Sequence, residues 1–154
     1  MPIAASQQID ANFRTITSNE AFVVESTWTF VATTTGATGA HTLFTVTDNC
    51  LVSVFGVCDT NLAGAGTFEV GVTSNTAGLI AQIANAEDLD NGDIYVDGTP
   101  AVGVEALPST FILNDGIDII LTIGTTAITA GVVDFYCLWR PLNNSSIVVA
   151  TTPA

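Results

Sequence analysis

The feature that most constrains this chain is the spacing of its apolar residues, which recur at every second position over short runs broken by turn-forming clusters. Over residues 20–31, Phe22, Val24, Trp28 and Phe30 share one face while Glu25, Thr27 and Thr29 share the other. Over residues 67–73, Phe68, Val70 and Val72 oppose Thr67, Glu69, Gly71 and Thr73. A period of two is the side-chain repeat of an extended strand. Further strands are predicted at residues 42–47, 51–58, 79–83, 93–97, 110–113, 117–123 and 132–139. The breaks between them are TTTGATG, DN, DTNLAGAG, TSNTAG, DLDNG, DGTP, LNDG and TTAITAG, rich in residues that favour turns.

Composition points the same way. Threonine occurs 23 times, Val and Ile fill most apolar positions, and lysine is absent, a balance that favours strands over helices. The predicted fold class is therefore all-β: an antiparallel β-sandwich, jelly-roll-like, with about eight to nine short strands. Residues 20–142 form the sandwich domain, flanked by a flexible N-terminal arm at 1–19 and a C-terminal tail at 143–154. Residues 79–86 also fit a short helix.

The charge balance bounds the partners. Two arginines, Arg14 and Arg140, stand against 15 acidic residues, for a net charge of −13. Binding a nucleic-acid backbone requires several phosphate-neutralising cations, so nucleic acid is excluded as a partner. An anionic membrane is excluded by the same count. The opening MPIAASQQIDANFR has no cationic start followed by an apolar run, and no stretch approaches a membrane span. The expectation is a chain made and folded in a cytoplasm.

Catalytic chemistry finds little support. His41 is the one histidine, and it follows a GATGA turn at a strand start, where a surface role is the ordinary one. GxSxG, HExxH, P-loop and GxGxxG patterns are all missing. A pair of carboxylates suited to glycoside hydrolysis is not excluded by spacing alone. The aromatic residues, however, fall mainly on apolar strand faces and read as core. The chain is expected not to be an enzyme. Cys50, Cys58 and Cys137 read as small buried thiols. A bridge between Cys50 and Cys58 is discounted, because eight residues along one strand far exceed disulfide reach.

Two groups are candidate sites. The acidic run Glu87, Asp88, Asp90, Asn91, Gly92, Asp93 places oxygen ligands around a glycine, as calcium requires, which makes Asp88, Asp90 and Asp93 the candidate metal ligands. The run departs from an EF-hand: glycine stands at the fifth position instead of the sixth, and Thr99 occupies the twelfth. A solvated acidic loop without any cofactor is the simpler reading. Arg14 and Arg140 are the candidate partner-binding residues, with a structural ion pair as the plainer alternative.

Some strands are apolar on both faces: Leu51, Val52, Val54, Phe55 and Val57 in one, and Ile117, Ile119, Ile120, Leu121 and Ile123 in another. A two-sheet sandwich covers only its inner faces, so these outer faces call for a neighbouring subunit or for loops and tails of the same chain.

The stretches HTLFTVTDNCLVSVFGVCDTNLAGAGTFEVGVTSNTAGLIAQ, GIDIILTI and GVVDFYCLWRPL, spanning residues 41–142, resemble small structural proteins of tailed bacteriophages of the capsid decoration, or cement, type. The resemblance implies a β-rich virion protein, a homotrimer, that sits on the outer capsid surface where major capsid protein subunits meet and locks the lattice. It carries no motif that assigns contact residues. The alternative is a phage tail, fibre or lectin-like β-domain that binds a host glycan or protein through its loops.

Overall fold

The computed structural model describes residues 21–153; the predicted arm at 1–19 and Arg14 lie outside them. Among the described residues the chain forms eleven strands and one short 3-10 helix at Ala86–Asp88. The strands are β1 (Phe22–Thr29), β2 (Gly39–Thr47), β3 (Cys50–Ala63), β4 (Thr67–Val72), β5 (Asn75–Ile83), β6 (Asp93–Tyr95), β7 (Ala101–Val102), β8 (Phe111–Leu113), β9 (Ile119–Gly124), β10 (Ala130–Pro141) and β11 (Ile147–Ala150). They build two antiparallel sheets. One runs β1-β10-β3-β6-β7, with β8 added to β3, and the other runs β11-β2-β9-β4-β5.

The predicted all-β sandwich is what the chain adopts, and the strand order is that of a jelly roll. Its eight main strands, β1 to β6 with β9 and β10, interleave so that early and late strands pair: β1 with β10 and β2 with β9. This winding is the double Greek key. The predicted strand at 110–113 is β8, added beside β3, and two strands beyond the nine predicted extend the sheets: β7 beside β6 and β11 beside β2.

Alternation sets the inner faces. Ser26, Trp28, Val52, Val54, Val133, Phe135 and Cys137 are buried on one sheet. Phe44, Val46, Phe68, Val70, Leu121 and Ile123 face them from the other. An aromatic chain ties the two sheets together: Phe30 meets Phe68 at 6.1 Å, Phe68 meets Tyr95 edge-on at 4.9 Å, and Tyr95 meets Phe135 at 6.5 Å. The buried Tyr95 hydroxyl donates to the carbonyls of Ala81 at 2.9 Å and Phe68 at 3.3 Å, so the ring carries its polar end into the core with partners. The turn at 30–38 packs so tightly on residue 128 that a Cβ at Gly36 would stand 1.9 Å from the Ile128 carbonyl oxygen.

Several boundaries differ from the sequence reading. Residues 79–83 belong to strand β5, so the helical alternative for 79–86 reduces to the one turn at Ala86–Asp88. β3 runs on to Ala63, so DTNLA is strand rather than loop; its second half is held by β10, with a register shift near Val132. The expected C-terminal tail contains β11, whose Ile147 to Ala150 pair with Thr47 to Phe44. The apolar IVV patch made this possible: Val148 is buried while Ile147 and Val149 stay exposed, the alternation of an edge strand.

Candidate functional site

The acidic run is committed to holding its own loop. Asn85 caps the short helix by accepting from the Glu87 backbone N–H at 3.1 Å, and Glu87 accepts from the Gly64 N–H at 3.1 Å. Asp90 accepts from the Asn61 amide at 2.6 Å, and the buried Asp93 accepts from the Asp90 N–H at 2.9 Å. Asn91 adds two links, its N–H to Asn61 and its side-chain amide to the Asp59 carbonyl. The loop is thus laced to the far half of β3. Calcium needs six to eight oxygens, roughly, converging at one point. Among the described residues no group of three or more His, Cys, Asp or Glu is gathered to hold a metal, so Asp88, Asp90 and Asp93 are not brought together as ligands. Sequence spacing placed the acids near one another but not Asn61 of β3, which donates to Asp90 and accepts from the Asn91 N–H.

Other reactive groups are also occupied. His41 shares a hydrogen bond with the Ala37 carbonyl at 2.7 Å and sits edge-on to Trp28 at 5.8 Å, as a strand-start residue would. All three cysteines are buried and outside any disulfide, and Cys50 and Cys58 lie on the same strand. Burial, with nearby Asp93 next, pushes the Cys58 thiol from 9.0 to about 11, and burial with Cys50 pushes Cys137 to about 12. Neither thiol is a ready nucleophile. Asp97 is held below its ordinary 3.8 because the Thr99 hydroxyl and N–H both donate to it at 2.7 Å, a turn-stabilising pattern in the DGTP loop.

The outer face of the β1-β10-β3 sheet has a different character. Four rows of outward residues cross it, fixed by the strand register. Arg140 lies beside Leu51 and Ile112; Val23 beside Leu138 and Ser53; Glu25 beside Tyr136 and Phe55; Thr27 beside Asp134, Val57 and Ile94. Val23 is 61% exposed and Ile112 72%, while Leu51, Phe55, Val57, Tyr136 and Leu138 are half-buried. The Phe55 and Tyr136 rings stack at 5.2 Å. The Tyr136 hydroxyl donates to Glu25 at 3.5 Å, and it is pushed above its ordinary 10.0 by desolvation and then by the Glu25 and Asp134 charges. The face therefore grades along β10 from carboxylates, through aromatic and aliphatic side chains, to a guanidinium.

One segment of the chain covers part of this face. Residues 103–110 pass beside β3, where the Ser53 hydroxyl donates to the Pro108 carbonyl at 3.0 Å and Ser53 is buried. The same segment adds exposed Val104 and Leu107. Between it and the sheet lies a shallow depression of about 120 Å³, lined by Ala21, Leu51, Leu107, Leu138 and Arg140 among others.

Of the two strands read as apolar on both sides, β3 presents its outer side chains to this partly open face. β9 does not. Ile120 is only 7% exposed, on a strand central in its sheet between Thr42 of β2 and Gly71 of β4. Its outer apolar residue is covered within the chain, and the case for a neighbouring subunit narrows to β3. Arg140, exposed at the end of β10, sits beside that surface. Val23, Leu107 and Ile112 were missed as site residues. The signal for Val23 was present, since it breaks the polar face of an otherwise clean alternation in β1. Comparisons with known protein families, curated proteins and solved structures return no match for this chain.

Proposed function

We propose that this chain is a non-enzymatic structural virion protein that binds the outer surface of an assembled phage capsid and stabilises its lattice, working as a self-associating module. The observation that carries the reading is the apolar outer face of the β1-β10-β3 sheet on a chain of net charge −13. An acidic surface keeps such a protein dispersed, and a contiguous apolar patch on it marks a place where another protein surface belongs. Jelly rolls serve in viral capsid and lectin domains alike, so the fold suits this reading without choosing it.

The face itself does not offer a glycan cleft. Small-ligand sites are concave and fill roughly 300–1,000 Å³. The depression beside Arg140 holds about 120 Å³ and is shallow. An apolar surface crossed in part by residues 103–110 fits a protein partner, here the major capsid protein or another copy of the chain. Stabilisation follows from mass action: a protein that binds only the assembled lattice adds its binding free energy to the lattice, and several linked footprints add avidity.

The test compares particles assembled with and without the chain under heat and osmotic shock. The expected result is earlier DNA release without it. Equal resistance overturns the capsid role, and reproducible binding on a glycan array would favour the lectin-like alternative.

A further inference from the structure

We infer that Asn91 is a site of spontaneous deamidation whose rate is set by the docking of the 85–93 loop on β3, and that its conversion loosens that docking irreversibly. Asn91-Gly92 is the one Asn-Gly pair in the sequence. An asparagine before glycine is the most reactive of its kind, because no side chain hinders the following backbone nitrogen. That nitrogen, once deprotonated, attacks the Asn91 side-chain carbonyl carbon. The new C–N bond closes a succinimide ring as the amide C–N bond breaks and ammonia leaves. Water then opens the ring at either carbonyl, giving aspartate or isoaspartate, so one water enters and one ammonia departs.

The fold both requires this pair and guards it. Residues 90–93 form a tight turn, closed by the Asp93 N–H donating to the Asp90 carbonyl at 3.0 Å, and Gly92 sits at φ +92°, where glycine is favoured. A bulkier residue there would slow the reaction but strain the turn. Asn91 and Gly92 are exposed, so burial does not protect them. Hydrogen bonds to β3 do. The Gly92 N–H, the attacking group, donates to the Cys58 carbonyl at 2.8 Å, and the Asn91 side-chain amide, the leaving group, donates to the Asp59 carbonyl. Asn61, two residues further along β3, accepts from the Asn91 N–H at 2.8 Å and donates to Asp90 at 2.6 Å. Ring closure turns the Asn91 side chain toward Gly92 and frees the Gly92 nitrogen, so it breaks both bonds to β3. Only the opened loop reacts, and the rate falls with the fraction of time that the loop is open. The product does not dock as before. Its carboxylate accepts only, and faces the Asp59 carbonyl to which the amide had donated.

Peptide mapping by mass spectrometry tests this on the full chain, aged at mildly alkaline pH with and without enough urea to unfold it. Conversion of Asn91 is expected to be at least about tenfold slower in the folded chain than in urea. Asn61→Ala removes one bond to Asn91 and one to Asp90, and should react at least about threefold faster than the unaltered folded chain, with a circular dichroism melt showing that the variant is folded. The urea comparison needs no variant. Asn91→Asp, one of the products made directly, should lower the urea midpoint, because a lone-pair acceptor then meets a carbonyl. Equal rates in the folded and unfolded chains overturn the inference, as does an Asn91 that stays intact in urea or an Asn61→Ala chain that reacts no faster. An unchanged midpoint in Asn91→Asp overturns the loosening.

Discussion

The two sheets of this sandwich have equivalent inner faces and opposed outer ones. Inside, Phe135 on one sheet and Phe68 on the other are both fully buried in the same core. Outside, the β11-β2-β9-β4-β5 sheet presents Thr42, Thr45, Thr47, Thr67 and Glu69, with Ile147 and Val149 exposed only along its β11 edge, and Gln82 donates to Glu69 at 2.8 Å across neighbouring strands. The β1-β10-β3 sheet presents Val23, Leu51, Phe55, Val57, Leu138 and Ile112. Threonine suits both a strand and water, so the first outer face is finished across its threonine rows and keeps apolar surface only at the β11 edge. The second keeps apolar surface in solvent at a cost that only a partner or a covering segment removes. What separates a structural sheet from an associating one here is the side that the core does not use.

Cutting into the shared interior should show that the inner faces are equivalent. Phe135→Ala and Phe68→Ala are each expected to destabilise the fold by about 3–5 kcal/mol in urea unfolding. If one falls below about 1 kcal/mol, the sheets do not share a single core.

Alkaline pH comes next. Cys58 and Cys137 keep their protons in the folded chain to about 11 and about 12, against 9.0 for an ordinary thiol, and Tyr95 is raised well above 10.0, in each case chiefly by burial. Between 9.0 and those raised values the unfolded chain binds fewer protons than the folded one. Stability is therefore complete with respect to these groups below pH 9.0 and falls as pH rises above it. Urea midpoints measured from pH 8 upward should drop, and Cys137→Ala should drop less steeply. An identical slope in that variant would show that its thiol ionises freely in the folded chain.

The smallest effect on stability falls on the outer faces and sharpens the comparison most. Val23→Ser with Ile112→Ser should change folding stability by no more than about 0.5 kcal/mol each, as exposed positions do, while weakening self-association in light scattering. Thr45→Ser with Thr67→Ser on the opposite sheet should change neither. Equal loss of association from both pairs would remove the distinction between the sheets.

The legible part of the structure was the part written in local pattern. Alternation in residues 20–31 and 67–73 set β1 and β4, and the turn clusters marked most strand ends. Ser26 shows the limit: it occupies an inward position on β1 between Val24 and Trp28, its hydroxyl buried without a hydrogen-bond partner, and no local rule puts a serine in a core. The partners of the acidic run were not legible for a related reason. The spacing of Asp88, Asp90 and Asp93 is visible along the chain, whereas the Asn61 amide that takes up Asp90 comes from a strand roughly thirty residues earlier.

By itself the sequence determined the strand-rich class, the inward set of most strands, the buried thiols and the acidic surface, because side-chain period, β-branching and charge count are properties of the chain before it folds. Only the tertiary structure decided that, among the described residues, β9 is buried on both sides while β3 is covered in part, that the C-terminal IVV patch is an edge strand, and that Arg140, Leu138, Tyr136 and Asp134 line up with Val23, Glu25, Leu51 and Phe55 on one face. Those outcomes depend on which strands become neighbours. Neighbours in a jelly roll are set by pairing between distant segments, such as β1 with β10, and the periodicity of either strand alone does not specify its partner.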